Sequence, residues 1–242
     1  MENTRAKTTR NSLILLLTAT IWGMAFVSQS KGMDYMHPFT FNGVRSLIGA
    51  AGILVYILIS RKIAGDKAAK LDWKLNVRAG LLCGIFLTIA STLQQFGIKY
   101  TSVGKAGFIT TLYIIFVPMF GIFLKKKVAP VVWAAAGMAA VGMYLLCMTE
   151  SLRLGAGDIM VFLCAIAFAI QIMTVDHYAE RIDGAVVSCI QFTVCGVVCC
   201  IGALIWGQPT FGQLQDGLGA LLYAGVLSCG VGYTLQIVGQ KG

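Results

Sequence analysis

TLQQFGIKY, residues 92–100, closes one apolar stretch of this chain, and TLQIVGQKG, residues 234–242, closes another. Five positions agree in register: Thr92 with Thr234, Leu93 with Leu235, Gln94 with Gln236, Gly97 with Gly239 and Lys99 with Lys241. A weaker echo lies upstream, where Leu17, Ala19 and Trp22 align with Leu163, Ala165 and Phe168. The two offsets differ by four residues, which one loop can absorb. Self-similarity at a fixed spacing reports architecture before any single motif does. Here it divides the chain into a first half, 1–148, and a second half, 149–242, that stops after its third apolar segment.

Composition sets the class. Of 242 residues, 57% are apolar and 12% charged, where a soluble domain carries about 25% charge. The expected fold is an all-α polytopic membrane protein. A bilayer core of about 30 Å takes about 20 mostly apolar residues per helix. Eight segments qualify: 12–30, 39–59, 79–98, 104–124, 129–148, 157–176, 185–206 and 217–238. The runs are continuous rather than alternating, which excludes a strand barrel. Arg5, Lys7 and Arg10 before the first run fit a secretory signal too, but no A-x-A site follows it. The net charge of +9 does not indicate nucleic acid, because the charges lie between apolar runs and not along one face. All eight cysteines fall inside apolar segments without a C-x-x-C. Cys195 and Cys199 share a helix face, but no acid or His lies near them. They read as small, lipid-compatible side chains, with no metal.

With the N-terminus cytoplasmic, inner segments hold fourteen Lys and Arg and outer segments hold four, Lys31, Lys99, Lys105 and Arg153. The positive-inside rule favours this orientation. Trp133 and Trp206 stand at helix ends, as interfacial anchors do. The first segment pairs with the sixth and the third with the eighth, so the repeat is five helices. Five is odd, and the second copy enters from the opposite side. That is an inverted-topology repeat, the architecture of secondary transporters with a site between the halves.

Arg45 is the one full charge well inside a segment. It lies about 9 Å deep at 1.5 Å per residue, where it can face a lumen or snorkel outward. Gln191 occupies the matching repeat position, and Asn42 shares the face of Arg45. Gln94, Gln95, Gln171 and Gln236 are amides in apolar segments. Each must find protein, water or ligand, either as interhelical bonds or as a polar site lining. Pro118 interrupts the fourth segment, as a kink or as the broken helix of a transporter site. Trp22, Tyr113 and Tyr233 can pack in the bundle or wall a substrate cavity. These eleven residues are the candidate substrate-binding set. No H-E-x-x-H, G-x-S-x-G or P-loop is present, so neither an enzyme nor an ATP-driven pump is indicated, and no cofactor is expected.

The chain resembles the drug/metabolite transporter superfamily, in its EamA-like members. The resemblance is carried by ATIWGMAFVSQS in the first segment, HPFTFNGVRSLIGA opening the second, FGIKYTSVGKAGFITTLYIIFVPMFGIFL through the third and fourth, and AAGMAAVGMYLL in the fifth. It implies ten helices in two five-helix repeats and the carriage of small metabolites. Two departures stand out. Lys125, Lys126 and Lys127 occupy the place where the family commonly has a Glu, and the last two helices are absent. The repeat predicts that they follow Gly242 within about 50 residues.

The expected function is a secondary active transporter, exporting small metabolites or drugs across the plasma membrane by alternating access. The alternative is a membrane scaffold or lipid-handling, flippase-like bundle. The expected partners are a small-molecule solute, membrane lipid and a second copy in a homodimer. For topology, an impermeant thiol reagent applied outside should miss a cysteine placed at Lys70 and label one placed at Lys31. The reverse pattern would overturn the orientation.

Overall fold

Hydrocarbon offers the backbone no hydrogen bonds, so a continuous apolar run closes its N–H and C=O groups within itself as a helix. The structure, a computed structural model, describes residues 2–65, 71–124, 130–148 and 155–240. The helices are α1 (Glu2–Gly32), α2 (Pro38–Ala64), α3 (Trp73–Tyr100), α4 (Val103–Thr111), α5 (Tyr113–Phe123), α6 (Pro130–Met148), α7 (Ala156–Tyr178), α8 (Gly184–Gly202), α9 (Phe211–Asp216), α10 (Leu218–Leu222) and α11 (Tyr233–Gln240). Two π-helical stretches, Ala203–Gly207 and Tyr223–Gly232, extend α8 and join α10 to α11. Among the described residues, seven helical spans are long and apolar enough to cross a membrane. The expected segment 129–148 is helical from Pro130, and its described apolar stretch, Pro130–Gly142, is shorter than a span. The protein is an all-α, multi-pass membrane protein. Lys67, Lys70, Lys125, Lys126, Lys127, Arg153 and Lys241 lie outside the described residues.

Helix ends differ from the expected limits where caps, rather than hydropathy, set them. The third span starts at Trp73, not near residue 79, because the Asp72 carboxylate accepts the Leu75 N–H at 3.0 Å. Asn76, fully buried, donates to the Asp72 carbonyl at 2.8 Å and accepts the Asp183 N–H at 2.9 Å, tying the start of α3 to the start of α8. The second span runs on to Ala64 and ends at Gly65, whose φ of +51° a side chain would resist. It begins at His37, whose Nδ1 accepts the Phe39 N–H at 3.4 Å ahead of Pro38. Burial, and secondarily the Lys99 ammonium, lowers the pKa of this imidazole, which keeps the ring neutral and Nδ1 able to accept.

The fourth span is interrupted, as expected, but at Leu112 and not at Pro118. Thr111 Oγ1 donates to the Gly107 carbonyl at 2.7 Å, a back-bond that bends helices. The Leu112 N–H then turns to the Ile109 carbonyl at 3.1 Å. Pro118 lies within α5.

Four helices form the centre. α3 packs on α7 and α8, and α2 packs on α8 and on Tyr223–Gly232. The C-terminal span also packs on α1, while α5 packs on α7 and α6. Small residues permit the closest approaches. A Cβ at Gly49 or Gly225 would meet Cys229 or Ile48, and at Gly80 or Gly84 it would meet Ile190 or Val194. Gly52, Gly137 and Gly142 have no such role, because open space surrounds them. At one end of the α3–α7 seam, Thr101 Oγ1 donates to Asp158 Oδ1, Gly155 N–H to Oδ2 at 3.0 Å, and Lys105 Nζ lies 4.0 Å from Oδ2. Leu13, Leu58, Ile85, Phe123, Val131 and Val197 point outward, which lipid, and not water, accommodates. Trp133 and Trp206 are exposed, and Trp206 stacks on Phe39 at 5.6 Å.

The seam gives a stability test. A Cβ at Gly157 would lie 2.8 Å from the Gly97 carbonyl oxygen and 3.0 Å from Thr101 N. Gly157→Ala should therefore destabilise the purified protein by about 1–3 kcal/mol through overpacking. Gly137→Ala, with open space, should leave the thermal unfolding midpoint unchanged or slightly raised. Equal midpoints for the two variants would show that the seam is not tight.

Candidate functional site

The central helices do not close on α1 and the fourth span. Between them lies a cavity of about 1160 Å³, lined from all of these spans. Its aromatic wall is built by α1, α7, α8 and α11. Trp22 lies 5.1 Å from Tyr233, and Phe192 meets the other side of Tyr233 edge-on at 4.7 Å. Trp22 is fixed from behind. Its Nε1 donates to the Ser228 carbonyl at 3.3 Å, and a Cβ at Gly232 would lie 2.7 Å from that nitrogen. Ser28 Oγ donates to the Ala220 carbonyl at 2.8 Å, and Tyr223 Oη to the Ile21 carbonyl at 3.2 Å. Three side-chain bonds thus stitch α1 to the span containing the long π-helical stretch, a geometry that recurs at functional sites.

The polar wall faces from α2, α3, α4 and α7. Arg45 is 6% exposed and lines the cavity. Its Cζ sits 5.6 Å above the Phe41 ring, and its Nε is buried with no hydrogen-bond partner. Gln94 Nε2 donates to Thr110 Oγ1 at 3.2 Å. Ser46 donates to Cys195 Sγ at 3.5 Å, and the Ser91 hydroxyl lies 3.3 Å from the same sulfur. Cys199 Sγ is 3.7 Å from Thr92 Oγ1. Among the described residues no three of His, Cys, Asp and Glu gather as metal ligands.

Of the candidate residues, Trp22, Arg45, Gln94, Tyr113, Pro118, Gln171, Tyr233 and Gln236 line the cavity. Asn42, Gln95 and Gln191 do not, because helix crossings cover them. Asn42 Nδ2 donates to the Ser91 carbonyl at 2.8 Å, and Gln95 Nε2 to the Gln29 carbonyl at 3.1 Å. Gln191 stands behind Gln171, accepting its amide at 2.9 Å. Sequence reading passed over Ser46, Ser91, Thr110, Phe168, Phe192 and Cys195, which also line the cavity. A helical signal was present: Leu87, Ser91 and Gln94, then Phe168 and Gln171, then Cys229, Tyr233 and Gln236, follow the spacing of three and four that marks one face.

A sequence model of the EamA-like transporter family matches residues 10–148 and residues 155–242. The chain belongs to the EamA-like transporter family. It is 30% identical over 172 residues to an uncharacterized transporter of Archaeoglobus fulgidus, a match covering 69% of this chain and 49% of that protein. An uncharacterized transporter of Clostridium kluyveri is 25% identical over 237 residues, covering 91% of this chain and 74% of the relative. One of Bacillus subtilis is 26% identical over 235 residues, covering 96% and 77%. The chain thus spans about half the length of the archaeal relative. Membership of the EamA-like family points to transport and not to enzymatic chemistry.

The Gln171–Gln191 bond separates stitching from lining. Gln171→Leu alone leaves the buried Gln191 oxygen unpaired and should cost about 1–2 kcal/mol. Gln171→Leu with Gln191→Leu should regain most of that in thermal unfolding. Additive losses would show that the two amides do not serve each other.

Proposed function

We propose that this chain is a secondary transporter of small organic solutes in the plasma membrane, with its N-terminus cytoplasmic, working by alternating access as an exporter. The carrying observation is the cavity, which packed membrane spans line with the aromatic cluster of Trp22, Tyr233 and Phe192 and with the polar Arg45, Ser46, Ser91 and Gln94. Pockets of this make-up bind small molecules through apolar contact and orient them through a few polar groups.

The contact pattern supports the expected inverted repeat. Exchange of the two halves turns the α3–α7 contact into that of the C-terminal span with α1. It turns α3–α8 into the C-terminal span with α2, and α2–α8 into itself. The two stretches matched by the family model support the same division near residue 150. A homodimer fits the outward apolar face of α6, where Val131, Met138 and Val141 are exposed.

The test is the chemical composition of the medium and cytosol of cells expressing the protein. Expression should enrich the medium in one or more small organic solutes. Trp22→Ala with Tyr233→Ala should remove that enrichment while the protein stays in the membrane at normal amount. Enrichment inside the cells would reverse the direction. No difference in either compartment across a broad metabolite panel would favour the scaffold reading.

A further inference from the structure

We infer that the cavity takes an organic monoanion, a carboxylate or sulfonate carried on an aromatic or bulky apolar body. This rests on the cavity being the solute site.

The argument starts from Arg45. A guanidinium keeps its charge at any physiological pH, and a buried cation without a partner costs several kcal/mol. Among the described residues, the ion pairs are Arg61 with Asp183 and Lys105 with Asp158, both near helix ends. Neither reaches Arg45. The cavity lining includes one carboxylate, Asp176. α2 and α7 start at the same end of the bundle, since His37 packs on Phe96 and Gly157 on Tyr100 near the end of α3. Arg45 is two turns into α2, whereas Asp176 is in the last turn of α7. At 1.5 Å per residue they lie about 20 Å apart along the bundle, too far to pair. The cation is left facing a cavity that provides no counter-charge near it.

Hydroxyl and amide groups share that wall. Asn42, one turn before Arg45, holds the Ser91 carbonyl, which brings Ser91 alongside α2. Ser46, Ser91 and Gln94 line the cavity with Arg45 and can donate to the oxygens of an anion. One guanidinium balances one negative charge, which argues against polyphosphates. An α-amino acid would bring an ammonium beside Arg45 with no acid within reach to receive it. The remaining wall, Trp22, Phe168, Phe192 and Tyr233, suits an aromatic or bulky apolar body and gives no reason for a bare inorganic ion.

The experiment uses the full chain purified in detergent and follows its thermal unfolding with four probes sharing one hydrocarbon body: 3-phenylpropionate, 3-phenylpropionamide, 3-phenylpropylamine and phenylalanine. Inorganic phosphate is a fifth probe. A ligand of the folded state raises the midpoint according to its occupancy. The carboxylate should protect at a concentration about tenfold below the amide, and the amine, phenylalanine and phosphate should protect less than the amide. Arg45→Gln, which removes a buried charge and keeps the side chain's bulk, should bring the carboxylate to the level of the amide. The comparison among probes needs no variant, so it stands even if Arg45→Gln fails to fold. Equal protection by amide and carboxylate, stronger protection by the amine, phenylalanine or phosphate, or an Arg45→Gln protein that keeps the anion preference would each overturn the inference. No protection by any probe would overturn it too. If the medium of expressing cells were then still enriched in a solute, the transport reading would survive and the anion assignment alone would fall.

Discussion

The scarcity of hydrogen-bond partners in hydrocarbon governs this molecule. Helices settle the backbone, but every polar side chain within a span needs its own partner. The structure divides these side chains into two groups. Asn42, Asn76, Gln95 and Gln191 are turned into helix crossings, where they bond to a carbonyl, an N–H or another amide. Arg45, Ser91, Gln94, Gln171 and Gln236 are turned towards one shared cavity. The first group holds α1, α2, α3, α7 and α8 together. The second can be tolerated only because the first keeps the cavity walls in place. Ser91 shows the dependence within one residue, because its carbonyl is held by Asn42 while its hydroxyl faces Cys195 on the cavity wall.

Much of the fold was legible because hydropathy reports the membrane directly. The eight expected segments are helical over nearly all of their described residues, the exceptions being turns at Leu112 and Leu124 in the fourth and at Gly217, which opens the eighth. What hydropathy could not report was any boundary set by a cap. Asp72 starts α3 among polar residues that a window average discards. The break in the fourth span illustrates a different limit. Pro118 is the visible helix breaker, yet a proline only removes one donor, and α5 absorbs it. The interruption falls at Leu112, whose N–H turns to the Ile109 carbonyl beside the Thr111 back-bond, and a leucine in an apolar run gives no such signal. The site was legible in part for the same reason. Polarity in a membrane span marks a residue that must face inward, but inward has two meanings. Asn42 and Arg45 sit three positions apart on one face, and only the longer side chain reaches the cavity.

The aromatic wall raises a separate physical question, because Trp22, Tyr233 and Phe192 come from three different spans. Their mutual packing would not by itself fix their place. The Ser228 carbonyl does, by accepting the indole N–H from within the Tyr223–Gly232 stretch. A π-helical ladder is wider than an α-helical one, and Gly232 brings the backbone within contact of the indole. Ser28 and Tyr223 add two further bonds between the same pair of spans. α1 and the C-terminal span are therefore joined by hydrogen bonds to backbone carbonyls, whereas α5 meets its neighbours α6 and α7 chiefly through apolar packing.

That difference bears on where the cavity can change shape. In a bilayer, apolar contact between helices competes with equally apolar lipid, so it resists separation weakly. A side-chain bond to a buried carbonyl resists more strongly, because breaking it strands both groups in hydrocarbon. The Asp158 cluster secures one end of the α3–α7 seam in the same way, through Thr101, Gly155 and Lys105. The cavity is thus bounded on one side by α1 and the C-terminal span, bonded to each other, and on another by α3 and α7, bonded at one end. The α4–α5 span lies between these firmer bodies and is itself broken at Leu112. A helix interrupted beside a cavity, held mainly by packing below the break, is the element whose displacement would strand the fewest polar groups.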